Sequence, residues 1–292
     1  MIYSFPGQAS AMEQETIHLC QITAPRGRAL AQIAPELGGI VSSLVLPGPG
    51  GPRECLHQHE WFWDQKSDET RGGLPLLFPI CGRHPELPLH GFAMRMPWYI
   101  LEHSASSLRL GLEDSSRTRA MFPYSFNLQL QYHIAEKDFS CTFAVRNTGP
   151  VPMPFYAGFH PYFSTPCDKA DILLEAFPEQ QHIYNADYTN IIGAIPPPEF
   201  PSPLAHPSLN QMLLSVGDNP ETSLIFSDGF GLKMNASSEF RYRQLYTIPD
   251  DPFFCIEPWM APPGAMARGE HVTLYPGESL SASITISSWS II

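Results

Sequence analysis

The sequence predicts an all-β protein, a large antiparallel β-sandwich with few short helices, and three observations carry that expectation. Apolar residues recur with period two rather than 3.6 over several long stretches. Proline is abundant, 31 of 292 residues. It disfavours helix interiors and central strands and favours short elements joined by shaped loops. Glycine and proline also punctuate the chain at short intervals, as in sheets packed face to face.

In chain order, Gly39 to Leu46 is the first strand candidate. Leu108, Leu110 and Leu112 alternate with other residues and predict a second. Asp114 to Met121 is the one helical stretch, with Asp114 as its expected N-cap and Pro123 as its stop. Phe126, Leu128, Leu130, Tyr132 and Ile134 alternate with polar partners, and Phe139, Cys141, Phe143 and Val145 repeat the pattern. Ala135 to Asp138 is the expected hairpin connection between them. Shorter strands are predicted at Asp171 to Ala176, Leu224 to Ser227 and Gly231 to Asn235. Leu280, Ala282, Ile284 and Ile286 close the series. Each alternation puts one face on a core and the other toward water. The proline-rich stretch Pro196 to Pro207 is the best boundary candidate. Strands beyond it still need partners, so it reads as a surface loop within a single domain, 1–292.

A chain with 43% hydrophobic residues can bury a sizeable core. The formal charge is −12, from 29 acidic and 17 basic residues. With no Lys/Arg run, it offers no basic face for nucleic acid. No apolar stretch approaches the roughly 20 residues of a membrane span, and the first residues lack the pattern of a secretory signal. The six cysteines are scattered without a C-x-x-C pair. A soluble, cytoplasmic protein with reduced thiols is the expectation.

Three segments do not read as ordinary strands. Arg71 to Trp98 packs glycines, prolines, arginines and two histidines around a few apolar residues, a stiff mount for polar side chains. Gly158-Phe159-His160-Pro161-Tyr162-Phe163 wedges a histidine among aromatics. Phe254-Cys255-Ile256-Glu257-Pro258-Trp259 delivers a carboxylate at the end of an apolar run, where burial raises its pKa and a nearby cation lowers it. A carboxylate and an imidazolium on opposite sides of a hemiacetal suffice to open and close a sugar ring, one removing the C1 hydroxyl proton and one protonating the ring oxygen. A competing signal is His57-Gln58-His59, whose spacing sets two imidazoles on one face of a strand, as in metal-dependent β-barrels. Its expected acidic ligand a few residues on is missing.

At the three unusual segments the chain resembles the aldose 1-epimerase (galactose mutarotase-like) family, and most of all its hexose-6-phosphate 1-epimerase branch. The resemblance lies in Arg71-Gly72-Gly73-Leu74-Pro75 with Phe78-Pro79, and in Leu87-Pro88-Leu89-His90-Gly91-Phe92-Ala93 ending at Pro97-Trp98. It continues through Thr118-Arg119 with Phe122-Pro123-Tyr124-Ser125-Phe126, the His160 segment, and Cys255-Ile256-Glu257-Pro258-Trp259 with Pro262-Pro263. It implies a galactose mutarotase-like supersandwich with an open cleft on one sheet and a cofactor-independent isomerase exchanging the α and β anomers of an aldose or hexose 6-phosphate. It also implies Glu257 as general base, His160 as general acid, and His90, Arg71 and Arg95 as substrate contacts. The expected partner is a small sugar or sugar phosphate, with no metal and no cofactor, bound by a monomer or homodimer. A non-catalytic carbohydrate-binding protein on the same fold is the alternative. The chain departs from the branch at Met94, where an arginine is usual and Arg95 follows one place later; in a strand that offset would turn the side chain to the opposite face. Residues 187 to 217 also lack the family's acidic sugar-contact motif, Asp187 being the nearest candidate.

Overall fold

The computed structural model describes residues 17–60, 62–63, 72–217 and 219–290. Antiparallel β-structure dominates them, in two large sheets and two small ones. The nine-stranded sheet runs, in spatial order, Ser202–Pro203, Ile172–Ala176, Thr222–Phe226, Phe230–Ala236, Ser279–Ser290, Asp138–Asn147, Phe126–Ile134, Ser107–Glu113 and Tyr99–His103. Every strand candidate read from alternation between residues 108 and 286 lies in it. Its alternation is that of a half-buried sheet. Phe126, Leu128, Leu130, Tyr132 and Ile134 are buried while Asn127, Gln129, Gln131 and His133 are not. Residues 135 to 138 turn as expected, with the Ala135 N–H donating to the Asp138 carbonyl at 2.8 Å.

The eight-stranded sheet holds Ile191–Ile195, Pro178–Tyr184, Met212–Val216, Tyr242–Tyr246, Phe253–Trp259, Gly158–Phe159 and Leu76–Leu77 in that order, with Tyr162–Ser164 also pairing to Phe253–Trp259. A four-stranded sheet is built from Cys20–Thr23, Leu30–Ala34, Ile40–Gly48 and Gly51–Glu54. Met153–Phe155 pairs with Val272–Leu274. One buried apolar cluster draws on all three larger sheets, with Val41 and Leu44, Leu213 and Ile256, and Leu128 and Ile284 among its members. Phe78, which follows Leu76–Leu77 of the eight-stranded sheet, packs its ring against Phe126 of the nine-stranded sheet, Phe155 of Met153–Phe155, Phe92 and Phe122. The large antiparallel β-sandwich expected from the sequence is the fold observed.

Three local readings change. The helix is Ser116–Met121, and its N-cap is Ser115, not Asp114. Ser115 and Thr118 form a reciprocal capping box. Asp114 instead accepts from the Phe126 N–H at 3.0 Å and from Arg119 at 2.6 Å, so it fastens the helix to the next strand. The proline-rich stretch is less a plain loop than expected: Ser202–Pro203 adds an edge strand to Ile172–Ala176. Residues 93 to 95, treated as strand in reading the Met94 offset, form a 3₁₀ turn. In such a turn successive side chains differ by about 120° rather than 180°. Met94 and Arg95 therefore face the same cavity. Among the described residues no helix is long and apolar enough to cross a membrane. Their six cysteines are all free, and only Cys167 is exposed.

Candidate functional site

A cleft of about 300 Å³ opens on one face of the eight-stranded sheet. Its floor comes from the strand Phe253–Trp259, whose seven residues are all buried. Period-two geometry puts Glu257 and Trp259 on the same face, and the Trp259 indole N–H donates to Glu257 Oε2 at 3.1 Å. The other carboxylate oxygen, Oε1, lies 3.3 Å from His160 Nε2. The two side chains are 2% and 7% exposed, so the contact sits in a low-dielectric floor.

His160 is held as its neighbours suggest. Its ring stacks on Tyr162 with centroids 4.4 Å apart, nearly parallel at 5°, and its backbone N–H donates to the Pro75 carbonyl at 3.1 Å. Tyr246 packs edge-on at 6.3 Å. The imidazole is thus immobilised between strands, while Pro161 stiffens the chain that follows.

His90 reaches the same place from the long segment between residues 72 and 98. Gly82 and His90 pair reciprocally: the His90 N–H donates to the Gly82 carbonyl at 2.9 Å, and the Gly82 N–H donates to His90 Nδ1 at 3.0 Å. With Nδ1 accepting, the neutral ring carries its hydrogen on Nε2. Closing this loop needs positive φ at His90 (63°) and Gly91 (74°), and a Cβ at 91 would strike the Phe78 carbonyl oxygen at 2.2 Å. The His90 ring stands edge-on to His160 at 5.2 Å and to Trp259 at 6.0 Å.

Protonation follows from burial. Desolvation pushes Glu257 well above the usual carboxylate range, with the Trp259 hydrogen bond opposing it. Desolvation, and next the neighbouring His90, hold His160 well below the usual imidazole value. The sequence favoured an ionised glutamate beside a protonated histidine; burial pulls both groups the other way, while their 3.3 Å contact favours the ion pair. Either arrangement binds one proton, which belongs to the pair. His90 is driven down to about 3 by desolvation and then by Arg95 and Arg83, so it is a neutral hydrogen-bond donor at ordinary pH.

Arg95 lines the cleft and donates from Nη1 to the Leu89 and Gly91 carbonyls at 3.2 and 3.1 Å, which fixes its guanidinium against the histidine loop. Arg83 lines the same wall. Arg71 lies outside the described residues. Asp187 is exposed, holds Thr189 at 2.7 Å and is not part of the lining, where Glu257 is the only carboxylate among the described residues.

Sequence reading missed the opposite wall: Tyr184, Tyr188, Gln211, Gln244 and Tyr246. Gln244 pairs across the ladder with Glu257 and accepts the Tyr184 hydroxyl at 2.6 Å. The available signal was a glutamine at a core-like position in Tyr242–Tyr246, where an apolar residue is the norm. Nothing in the sequence marks Tyr188 or Gln211.

His90, His160 and Glu257 are the only described His, Cys, Asp or Glu side chains that group by threes closely enough for a metal, their ligating atoms within 4.8 Å. The His90 tautomer argues against coordination, because Nδ1 is occupied by the Gly82 N–H and Nε2 holds the ring hydrogen. His57 and His59, the sequence's metal candidates, belong to no such group and stand 6.2 Å apart edge-to-face. His57 instead stacks on Phe253.

Three known proteins are similar to this chain in sequence or in fold. The plasmid-encoded LacX protein of Lactococcus lactis subsp. lactis is 25% identical over 159 residues, 49% of this chain and 50% of that protein. This chain therefore spans about half the length of that relative. A Salmonella typhimurium protein provisionally named glucose-6-phosphate 1-epimerase is 32% identical over 72 residues, 23% of this chain and 24% of its own. In fold, the Slr1438 protein of Synechocystis sp. PCC 6803 superposes with a TM-score of 0.81 at 22% identity, covering 99% of this chain and 100% of that one. The model of the aldose 1-epimerase family matches residues 22–287, a span holding every described wall of the cleft and both large sheets but for the end of the strand Ser279–Ser290, and the chain belongs to that family.

Proposed function

We propose that the protein is a sugar 1-epimerase that interconverts the α and β anomers of an aldose by opening and reclosing its ring. One observation carries this reading: a carboxylate and an imidazole 3.3 Å apart on the buried floor of a sugar-sized cleft. Glu257 takes the proton of the C1 hydroxyl while His160 gives one to the ring oxygen, breaking the C1–O5 bond to leave an aldehyde. Rotation about C1–C2 presents the other carbonyl face, and the same transfers in reverse close the ring. The pair begins as carboxylate and imidazolium and passes through carboxylic acid and imidazole, so its single proton is conserved. Burial disfavours the charged arrangement and narrows the gap between the two, which suits a step that must run both ways.

The remaining wall residues select the substrate. His90 donates its Nε2 hydrogen to a sugar oxygen. Arg95 and Arg83 offer two guanidinium groups on one wall of a chain whose net charge is −12, a local cationic site for an anionic substituent remote from C1. A hexose 6-phosphate fits that requirement, with Arg71 as a further expected contact.

The test follows fresh α-glucose, α-galactose and α-glucose 6-phosphate by polarimetry or NMR. Catalysed exchange of at least one is expected, with Glu257→Gln and His160→Asn each slowed about a hundredfold or more. Full rate in Glu257→Gln removes the proposed base. Binding without exchange in the wild type turns the reading to a carbohydrate-binding protein. Arg95→Met is expected to lose any preference for the phosphorylated sugar and to leave exchange of the neutral one in place.

A further inference from the structure

The hairpin between Pro178–Tyr184 and Ile191–Ile195 carries an aromatic residue where the backbone least accommodates one. Tyr188 has φ 59°, in the left-handed region that glycine and asparagine enter readily and a bulky side chain does not. Five described non-glycine residues have positive φ, namely His90, Lys169, Tyr188, Gln211 and Asp250, and three of these line the cleft. Backbone strain of this kind concentrates where a side chain must be aimed. The Tyr188 side chain gains little from its own fold, since the residue stays 42% exposed.

The surroundings hold that strained conformation. Asn185 Oδ1 accepts the N–H groups of Thr189 and Asn190 at 3.0 and 2.9 Å, and Asp187 Oδ1 accepts the Thr189 hydroxyl at 2.7 Å. Tyr188 rests against Tyr184 with centroids 5.3 Å apart, and Tyr184 is fixed by Gln244 at 2.6 Å. Arg268 ties this tip to the opposite side of the cleft. Its Nη1 donates to Asn190 Oδ1 and, at 3.1 Å, to the Pro263 carbonyl, while Nε pairs with Glu270 at 2.9 Å. Pro263 in turn abuts Gly82 so closely that a Cβ there would lie 2.6 Å from Pro263 Cγ. The guanidinium thus joins the aromatic wall to the wall that sets the His90 tautomer. Across the mouth, Asp187 is held below the usual carboxylate range chiefly by the Thr189 hydroxyl and, more weakly, by Arg83 on the other rim.

We propose that Tyr188, backed by Tyr184, is a specificity-determining residue that packs on the carbon-hydrogen face of the bound sugar ring, and that Arg268 is the positioning residue that keeps it there. This rests on the sugar-binding part of the reading above. A pyranose offers polarised C–H groups on one face, which suit the electron-rich face of an aromatic ring, and its hydroxyls remain free for the glutamines and arginines alongside.

Saturation-transfer NMR and calorimetry with glucose and glucose 6-phosphate, beside steady-state anomer exchange, test it. Tyr188→Phe, which keeps the ring face, is expected to recover the affinity that Tyr188→Ala loses. Tyr188→Ala and Tyr188→Gly are expected to weaken binding and raise KM about tenfold, with kcat within about twofold. Tyr188→Gly relieves the backbone, so its melting temperature rises while its affinity falls, a split that a purely structural role does not give. Arg268→Met should weaken binding as Tyr188→Ala does, with the double variant no worse than the weaker single one and Arg268→Lys partly restored. Saturation transfer to the ring protons on one sugar face is expected to drop in Tyr188→Gly. Wild-type affinity in Tyr188→Gly overturns the proposal. Sugar binding by a wild type that exchanges no anomer sinks the catalytic reading alone, and the saturation-transfer comparison still decides this one.

Discussion

The two large sheets obey different rules. The nine-stranded sheet is the more regular. Its inner face is mostly apolar, its register shifts between Ile100 and Glu102 at its edge, and its register is continuous from Ser279–Ser290 through Asp138–Asn147 to Phe126–Ile134. The eight-stranded sheet breaks the same rules repeatedly. It carries Glu257, Gln244 and Arg243 at fully buried positions, a register shift between Ile183 and Tyr184, and a hairpin tip at positive φ. One sheet puts its sequence into stability; the other carries the polar and strained features from which a site is made.

The sharpest way to break that contrast is to exchange the kinds of damage. Phe126→Ala, in the regular sheet, is expected to lower unfolding free energy by about 3–5 kcal/mol, measured by denaturant titration. Its folded fraction should retain wild-type activity per molecule. Glu257→Gln should do the reverse: an exchange rate down about a hundredfold, or about 2.7 kcal/mol of transition-state stabilisation, with the fold intact. Lost activity per folded molecule in Phe126→Ala, or a melted fold in Glu257→Gln, would end the division of labour.

A third outcome concerns pH. Burial raises Glu257, so the stability supplied by its proton is fully present below the ordinary value of 4.5 and is lost as pH rises through the raised one. Glu257→Gln should therefore gain in melting temperature relative to the wild type as pH climbs through that range. In exchange kinetics the wild type should give a bell: His160 takes a second proton on the acid side, below its usual value, and the pair loses its only proton on the alkaline side. In Glu257→Gln the acid limb should vanish, and the residual rate should fall only as His160 gives up its proton. A flat wild-type profile from pH 5 to 9 would count against the pair. The smallest effect belongs to the regular region again. Ser115→Ala removes the N-cap of Ser116–Met121 and should cost about 1 kcal/mol of stability without touching exchange.

The same contrast explains what the sequence revealed. Alternation at Phe126–Ile134, Asp138–Asn147 and Ser279–Ser290 reports half-buried strands directly, because one face of each touches water. Pro178–Tyr184 and Ile191–Ile195 have mostly polar or exposed residues and no alternation, so neither announced itself as a strand. For the cleft, His90, His160 and Glu257 were readable because each stands in an unusual local setting of glycine, proline and aromatics. Tyr184 and Tyr188 were not, since their placement depends on a register shift and on backbone angles that residue types do not encode. Arg95 was readable as a residue, yet its direction was misjudged, because a 3₁₀ turn rotates side chains differently from a strand.

Gly158 carries a practical lesson for anyone redesigning this cleft. It pairs with Trp259, and a Cβ there would lie 2.7 Å from Cys81 Sγ, 2.7 Å from Trp259 Cδ1 and 2.8 Å from the Pro258 carbonyl oxygen. Three backbone segments thus meet under Glu257 with no slack, so a library that varies this base plate would lever the indole off the carboxylate. Diversity belongs in the overhanging parts, at Tyr188, Gln211 and Arg83, where new shapes can be explored against an unyielding foundation.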